Sequence, residues 1–416
     1  MQAQVFKFGG ASIKDAKAIK NVGSIIQKFS ANQLIVVVSA LGKTTNLLEQ
    51  ILHAKIADNS IWKRILSELK QSHYNILEQL GLDETLLDNY FYDLEKQFEK
   101  ADKEQYDFHY DQTVSYGEML SSTIISAYLM KINLPIELLD ARKIINTDEH
   151  YRDANVQLHL TQKNIHDAVK SLLNKGKIVL TQGFIGGAKN GDTTTLGREG
   201  SDYTAAIISH CIYAANMTIW KDVEGVMNAD PKQFANAQII KQLSYYEAIE
   251  MTYFGAKVIH PKTIKPLQNL NIPLVVRSFE NLENCGTTIS STHLPIEYPP
   301  LIVLKENQSL ISIQTRDFSF ISEKHLQHIF TVFADFRVHQ NLMQNGAISF
   351  SCCIDKNDRV EDGFIKLRKE FKILVNENLQ LLTIRHYNDA IIQQLTKGKT
   401  ILLEQKSRNT IQLVLQ

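Results

Sequence analysis

The sequence predicts an α/β fold in which helices cover both faces of a mostly parallel sheet, with smaller α/β modules at the carboxyl end. Strand-like and helix-like segments alternate from residue 4 to about residue 277. Two strand-like segments, residues 34–38 and 178–181, are continuous apolar runs typical of strands buried on both faces. Glycine-rich or polar turns follow several strands, and ligands of such sheets bind beyond the carboxyl ends of the strands.

The composition is that of an ordinary soluble globular protein. The 416 residues suggest two or three domains, and the 45 basic and 45 acidic side chains cancel. This balance favours neither a nucleic acid nor a membrane as a partner, so small molecules or other subunits are expected. No segment resembles a signal peptide or a membrane span. The four cysteines match no zinc spacing and fit a reducing compartment, so we expect a cytoplasmic protein.

The amino-terminal strand, residues 4–8, is followed by Gly9 and Gly10 and then by a helix-period stretch. A strand, a glycine turn and a helix together place free N–H groups where phosphates bind, and Lys7 would point toward such a phosphate. Neither the dinucleotide-binding glycine pattern nor a P-loop is present. Taken alone, this motif also fits a tight turn beside a solvated lysine.

Helical patterns dominate from about residue 47 to 110, and the next predicted helix, residues 113–130, contains Glu118 among small and apolar neighbours. A carboxylate in such surroundings is costly unless it is paired. We therefore expect Glu118 to bind an ammonium group. The plainer alternative is a glutamate on the helix surface.

The polar segment 191–203 leads directly into an apolar helical stretch, residues 204–212. Its glycines allow close backbone approach, Arg198 can bind a carboxylate or phosphate with two hydrogen bonds, and Ser201 or Asp202 can cap the helix. An anion site at a helix start is predicted. A well-capped surface helix is the alternative.

A change of composition near residues 284–300, rich in Thr, Ser, Pro and Gly, indicates a domain boundary. Beyond it, short strand and helix patterns alternate, which suggests two small α/β modules packed together. The predicted strands cover residues 310–315, 347–354, 379–385, 400–405 and 411–415, and the predicted helices cover residues 325–336, 360–370 and 388–395.

Seven motifs in order resemble the aspartate kinases of the amino-acid kinase family, and the resemblance spans residues 5 to about 290. They are Lys7-Phe-Gly-Gly10, Thr45-Asn46, Ser115-Tyr-Gly-Glu118, Gly183-Phe-Ile-Gly186, the segment 193–203, Trp220-Lys-Asp-Val-Glu-Gly-Val and Phe254-Gly-Ala-Lys-Val-Ile-His-Pro261. The resemblance implies an amino-acid kinase domain at residues 1–292 and two ferredoxin-like ACT modules at residues 293–416, the second shortened.

The implied reaction is transfer of the γ-phosphoryl group of ATP to the side-chain carboxylate of L-aspartate, giving 4-phospho-L-aspartate for lysine, threonine and methionine synthesis. Such a transfer needs positioning and charge neutralisation rather than a base. The resemblance also implies Mg²⁺ as the companion of ATP, with no metal site formed by the protein's own residues. A homodimer through the ACT-like modules is expected.

By resemblance, each motif residue has an expected role. Lys7 and Lys257 would contact the transferring phosphate, and Asp202 would orient Lys7 or assist metal binding. Substrate aspartate would contact Ser39, Thr45, Glu118, Arg198 and Ser201. ATP would contact Lys7, Gly9, Gly10, Lys221, Asp222, Met227, Lys232 and Lys257.

Four positions depart from the family pattern: Ala11, Arg152, Glu199 and Met227. They bear on nucleotide affinity and domain closure rather than on the reaction. In the tail, the turn at residues 322–325 lacks a glycine and residues 338–346 lack an acidic side chain, so weak or absent inhibition by lysine or threonine is expected.

Two other functions remain open, namely a related amino-acid kinase with another acceptor and a catalytically silent regulatory homologue. A dinucleotide-binding oxidoreductase is disfavoured because its glycine fingerprint is missing.

Overall fold

A computed structural model describes residues 2–256, 259–291, 296–356 and 359–416. The chain divides into two compact units. The first comprises Met1–Val226, Ile239–Ile249 and Ile259–Leu294, and the second comprises Met227–Gln238, Glu250–Val258 and Pro295–Gln416. The second unit thus includes two short segments from earlier in the chain, which no change of composition indicates.

The strands of the first unit are β1 Gln4–Phe8, β2 Leu34–Val38, β3 Ile136–Leu139, β4 Asn146–Thr147, β5 Ile178–Gln182, β6 Ile185–Ala188, β7 Thr193–Thr195, β8 Asn216–Lys221, β9 Gln242–Ser244, β10 Leu274–Ser278 and β11 Thr287–Ser290. Its helices are α1 Ala16–Phe29, α2 Thr44–Ile56, α3 Ile61–Leu80, α4 Asp88–Lys100, α5 Tyr106–Val114, α6 Tyr116–Lys131, α7 Ala141–Ile144, α8 Leu158–Asn174, α9 Gly200–Cys211, α10 Tyr245–Tyr253, which ends in the second unit, and α11 Pro261–Asn269. Short 3-10 helices cover Gly10–Ile13 and Glu84–Leu87.

The large sheet of the first unit has the order β3-β5-β2-β1-β8-β10-β11-β9. Every pairing in it is parallel except that of β10 with β11. All residues of β2 and β5 are buried, as expected for central parallel strands covered on both faces. The predicted α/β class with a mostly parallel sheet is therefore confirmed for this unit.

Local sequence explains where several helices begin and end. Asp15 caps α1 by accepting a hydrogen bond from the N–H of Ala18 at 2.8 Å, and Asp140 caps α7 in the same way through the N–H of Arg142. Gly81 ends α3 in the left-handed conformation, with φ of 62°. The predicted helical excursion is observed as α2 to α5, whose apolar faces join the core beneath β1 and β2.

A small sheet of order β4-β6-β7 lies beside the large one. The sequence predicted only a glycine-rich turn and a polar loop here, because strands of two to four residues are too short to show an alternating pattern. β7 lies within the predicted anion-binding segment 191–203, so this sheet holds the part of the segment that precedes Arg198.

The second unit is built on strands β12 Leu301–Thr315, β13 Gln340–Asn345, β14 Ser349–Asp355, β15 Phe371–Arg385, β16 Ile401–Lys406 and β17 Thr410–Leu415, with helices α12 Glu323–Asp335, α13 Arg359–Leu367 and α14 Asp389–Thr396. Its strands form one antiparallel sheet of order β13-β14-β12-β15-β17-β16. An antiparallel sheet with helices is consistent with the expected ACT-like modules.

Two expectations for this unit are wrong. The strands predicted at residues 310–315 and 379–385 are halves of the 15-residue strands β12 and β15, and β13 was not predicted. β12 and β15 pair along most of their length, so both modules share one sheet. The middle of each strand is exposed and includes an asparagine with positive φ, Asn307 and Asn378, so the alternating apolar signal is lost there.

The helices of the described ranges include none with the length and apolarity needed to cross a membrane.

Candidate active site

An ion pair between Lys7 of β1 and Asp202 of α9 lies at the carboxyl edge of the large sheet. Lys7 Nζ is 2.6 Å from Asp202 Oδ1, and both residues are buried. Asp202 occupies the first turn of its helix, where the helix dipole favours a negative charge. The pair therefore holds the lysine ammonium in a fixed place next to the glycine turn that follows β1.

The turn after β1 leaves no room for a side chain at Gly10 and little room at Gly9. A Cβ at Gly9 would lie 3.2 Å from Lys7 Nζ, and a Cβ at Gly10 would lie 2.6 Å from the carbonyl oxygen of Gly42. The turn is also tied to the neighbouring strand, since Ser12 Oγ donates to the carbonyl oxygen of Trp220 at 3.0 Å. Because neither glycine has a side chain, a ligand can approach the backbone of Gly9 and Gly10 beside the lysine.

Glu118 in the first turn of α6 is buried, contrary to the alternative of a surface glutamate. Its Oε1 accepts a hydrogen bond from the N–H of Ala40 at 3.2 Å, while its buried Oε2 has no hydrogen-bond partner among the described residues. Burial raises the pKa of this carboxyl from 4.5 to about 8, although the Ala40 N–H and the charge of Lys7 oppose the rise. An unpaired oxygen in this position is suited to a ligand cation.

A cavity of about 460 Å³ brings all five predicted substrate residues together. It contains Lys7, Ser39, Thr45, Glu118, Arg198, Ser201 and Asp202, and its walls also include Ala40, Asn46, Tyr110, Arg152, Phe184, Gly197, Glu199 and Gly200. Cationic and anionic side chains thus border one space large enough for a small molecule.

The predicted cap of α9 by Ser201 or Asp202 is wrong. The helix begins at Gly200, so both residues lie within its first turn, and the capping position is Glu199 without a side-chain hydrogen bond to the helix. Glu199 has φ of 54°, and its Oε2 instead accepts a hydrogen bond from the N–H of His260 at 3.0 Å. Arg198 is exposed at the cavity wall.

Asp111 is an organising residue that sequence analysis missed. It is buried on α5 and accepts hydrogen bonds from Thr195, through the N–H at 2.8 Å and Oγ1 at 2.6 Å, and from the N–H of Arg152 at 3.0 Å. Burial raises its pKa to about 6 despite these hydrogen bonds. Asp111 lies on α5, whereas its partners Arg152 and Thr195 are distant in the chain, so no local sequence pattern indicated this role.

The residues predicted to contact ATP are not brought together in this cavity, apart from Lys7. Lys221 is half-buried and ends β8, one position beyond Trp220, which pairs in register with Phe8. Asp222 follows it and is exposed. The predicted contacts Met227 and Lys232 belong to the second unit, and Lys257 lies outside the described residues.

Within the described ranges, no three His, Cys, Asp or Glu side chains are grouped closely enough to hold a metal ion. Four free cysteines are present, of which Cys285 is exposed and the others are buried.

The motifs that form this cavity are matched by a known family. The family model described as the amino acid kinase family matches residues 2–278. The aspartokinase of Chlamydia muridarum is 35% identical over 311 residues, which cover 74% of this chain and 68% of that protein. The lysine-sensitive aspartokinase 3 of Escherichia coli is 29% identical over 91% of this chain and 86% of its own length.

The bifunctional aspartokinase/homoserine dehydrogenase of Buchnera aphidicola is 33% identical over 69% of this chain, which spans only 36% of that longer protein. Among solved structures, E. coli aspartokinase III in complex with aspartate and ADP superimposes with a TM-score of 0.82 at 25% identity, covering 100% of this chain and 96% of that one. The same enzyme with lysine and aspartate gives a TM-score of 0.84.

The chain belongs to the amino acid kinase family. Within that family its relatives are the aspartokinases, so the resemblance inferred from the motifs is confirmed.

Proposed function

We propose that this chain transfers the γ-phosphoryl group of ATP to the side-chain carboxylate of L-aspartate, giving 4-phospho-L-aspartate and ADP. The observation that supports this most directly is the cavity in which a buried lysine and an unpaired buried glutamate oxygen face the same space. One group suits a transferring phosphoryl group and the other suits the ammonium of an amino acid.

The acceptor would be held by charge complementarity. Glu118 receives the substrate ammonium at its free Oε2, and the ammonium replaces the solvation that burial removed. Arg198 receives the carboxylate that does not react. Hydroxyl groups of Ser39, Thr45 and Ser201 line the same space and orient the reacting carboxylate.

The chemical step needs no general base, because the acceptor carboxylate is already a nucleophile. One of its oxygens forms a bond to the γ-phosphorus while the bond between that phosphorus and the β,γ-bridging oxygen breaks, leaving ADP. Lys7, held in place by Asp202, neutralises charge on the moving phosphoryl group, and Gly9 and Gly10 offer backbone N–H groups to it. Lys257 is proposed to assist from the segment that precedes α11.

Nucleotide contacts are proposed for Lys221, Asp222, Met227 and Lys232. Lys221 ends β8, the sheet neighbour of β1, and Asp222 follows it, so both lie at the same sheet edge as the glycine turn. Magnesium, bound mainly by the phosphates of ATP, would supply further charge neutralisation there, and Asp202 is the carboxylate closest to Lys7 that could assist it.

The test is consumption of ATP by the purified chain with magnesium and L-aspartate, with hydroxylamine present to trap the acyl phosphate as a hydroxamate. We expect hydroxamate that depends on aspartate, and much less with glutamate or N-acetylglutamate. Product with another acceptor alone would indicate a related amino-acid kinase. ADP binding without any product would indicate a silent homologue.

Three finer statements accompany this proposal. The product would enter lysine, threonine and methionine synthesis, residues 1–292 would be the catalytic domain, and the chain would act in the cytoplasm. We also propose a homodimer through the ACT-like modules of residues 293–416, which sedimentation velocity tests by giving the mass of two chains rather than one.

A further inference from the structure

Arg152 is a second guanidinium group on the cavity wall. It follows β4 in a turn and lines the same space as Glu118 and Arg198. The backbone of Arg152 is left-handed, with φ of 72°, a conformation in which a glycine would be less strained. A bulky, charged residue therefore occupies a position whose backbone conformation favours glycine.

The side chain of Arg152 is oriented by its surroundings. Its guanidinium carbon is 4.4 Å from the ring centroid of Tyr110, and Tyr110 also lines the cavity. Single contacts of 3.4 Å to Glu49 and 3.3 Å to Asp107 use one nitrogen each. The side chain remains 42% exposed and a guanidinium has five donor hydrogens, so capacity to bind an anion remains.

The two arginines of the cavity depend on one buried carboxylate. Asp111 accepts the N–H of Arg152 and also holds Thr195, the last residue of β7. From Thr195 the chain reaches Arg198 within three residues. Asp111 is thus a positioning residue for both the turn with Arg152 and the segment with Arg198.

Charges around the cavity can be matched to the transferring phosphoryl group and to two ionised groups of the acceptor, its ammonium and its non-reacting carboxylate. Asp202 pairs with Lys7, which faces the transferring phosphoryl group, and Glu118 faces the ammonium. Given the function proposed above, on which this step rests, we propose that Arg152 binds the non-reacting carboxylate of aspartate together with Arg198. The acceptor subsite is then a two-arginine clamp that selects amino acids with a second carboxylate.

The experiment compares two ligands and two variants. β-Alanine is aspartate without its non-reacting carboxylate, so it retains the ammonium and the other carboxylate. Dissociation constants for aspartate and β-alanine are measured by calorimetry with ADP and magnesium present, for the unaltered chain and for Arg152→Gly and Arg152→Gln. We expect both variants to bind aspartate about tenfold or more weakly, with β-alanine affected less than about twofold.

Two controls separate binding from folding and from general charge. Arg152→Gly relieves the left-handed backbone, so its melting temperature should equal or exceed that of the unaltered chain while aspartate affinity still falls. Arg64→Gln removes one positive charge from an exposed position on α3, outside the cavity, and should leave both ligands unaffected.

The inference is overturned if aspartate affinity stays within about twofold of the unaltered chain, or if aspartate and β-alanine weaken by the same factor. These outcomes are distinct from failure of the proposed function, because binding is measured without turnover. A chain that binds aspartate through Arg152 but forms no hydroxamate would sink the kinase proposal alone.

Discussion

Burial of the ion pair between Lys7 and Asp202 makes Lys7 important for stability as well as for its proposed role in catalysis. The two side chains are 11% and 6% exposed and lie 2.6 Å apart, so each charge depends on the other for compensation. Replacing a buried pair by neutral residues is often tolerated, whereas removing one partner leaves an uncompensated charge.

Lys7→Ala is therefore expected to lower both turnover and stability. Turnover should fall by roughly two or more orders of magnitude through lost phosphoryl stabilisation, and the free energy of unfolding by about 3–5 kcal/mol through the isolated Asp202 charge. Urea denaturation and the hydroxamate assay measure the two effects. The double variant Lys7→Met with Asp202→Asn should regain most of the stability but no activity; recovery of activity would refute the catalytic role.

Glu118 should make kcat/KM for aspartate depend on pH. Because burial raises the pKa of its carboxyl to about 8, the free protein gains the ionised form needed for an ammonium only as pH rises toward that value. We expect kcat/KM for aspartate to rise with pH up to about 8, and Glu118→Gln to abolish this limb and weaken aspartate binding. A profile identical in both proteins would contradict the assignment.

The Glu118 carboxyl should also make the free energy of unfolding depend on pH. Its folded pKa of about 8 exceeds its unfolded value of 4.5, so the folded state binds more protons in that interval and its stability falls as pH rises through it. Glu118→Gln cannot ionise. It should therefore match the unaltered chain near pH 4.5 and exceed it in free energy of unfolding at pH 8, as measured by urea denaturation at the two pH values.

At the scale of elements, the start of α9 is positioned by contact with the turn after β5. A Cβ at Gly183 would lie 2.5 Å from Ser201 Cβ and 2.7 Å from its Cα, closer than side chains approach. Ser201 directly precedes Asp202, so moving the first turn of α9 would also displace the partner of Lys7.

Gly183→Ala is expected to cut kcat at least tenfold and to destabilise the first unit by about 1–3 kcal/mol through overpacking. Gly363→Ala is the matched control, because its nearest neighbour would be Phe336 at 3.6 Å and the residue lies inside helix α13. That change should raise stability by roughly 0.5–1 kcal/mol without altering kcat. Equal effects of the two substitutions would show that close packing at Gly183 is unimportant.

At the scale of the whole molecule, the structure bears on whether amino-acid effectors regulate this protein. A capping box forms at the amino end of α12. Ser322 Oγ accepts a hydrogen bond from the N–H of His325, and His325 Nδ1 accepts one from the N–H of Ser322. These N–H groups are thereby satisfied without a ligand. This agrees with the expectation, from the missing glycine and acidic residue, that amino-acid effectors bind weakly.

We therefore expect lysine and threonine at submillimolar concentration to leave hydroxamate formation unchanged within about twofold. The lysine-sensitive aspartokinase 3 of E. coli, assayed in parallel, serves as the positive control. Inhibition of this chain by either amino acid, or calorimetric binding of either to it, would contradict the prediction.

Local pattern alone determined a large part of this protein. Strands β1 and β2 have the bounds that the sequence predicted, and the motif residues around Lys7, Glu118 and Arg198 were recognisable from order and spacing. Such features can be predicted because strand patterns and turn residues depend on residues that are close together in the sequence.

Only the tertiary structure decided which of these groups meet and how they ionise. It paired Lys7 with Asp202, left one oxygen of Glu118 without a partner, and joined the segments of Arg152 and Arg198 through Asp111. It also showed that the strands predicted at residues 310–315 and 379–385 are parts of the longer strands β12 and β15. The physical reason is the same in each case: burial, ion pairing and strand pairing depend on residues that are distant in the chain, and no local window of sequence contains both partners.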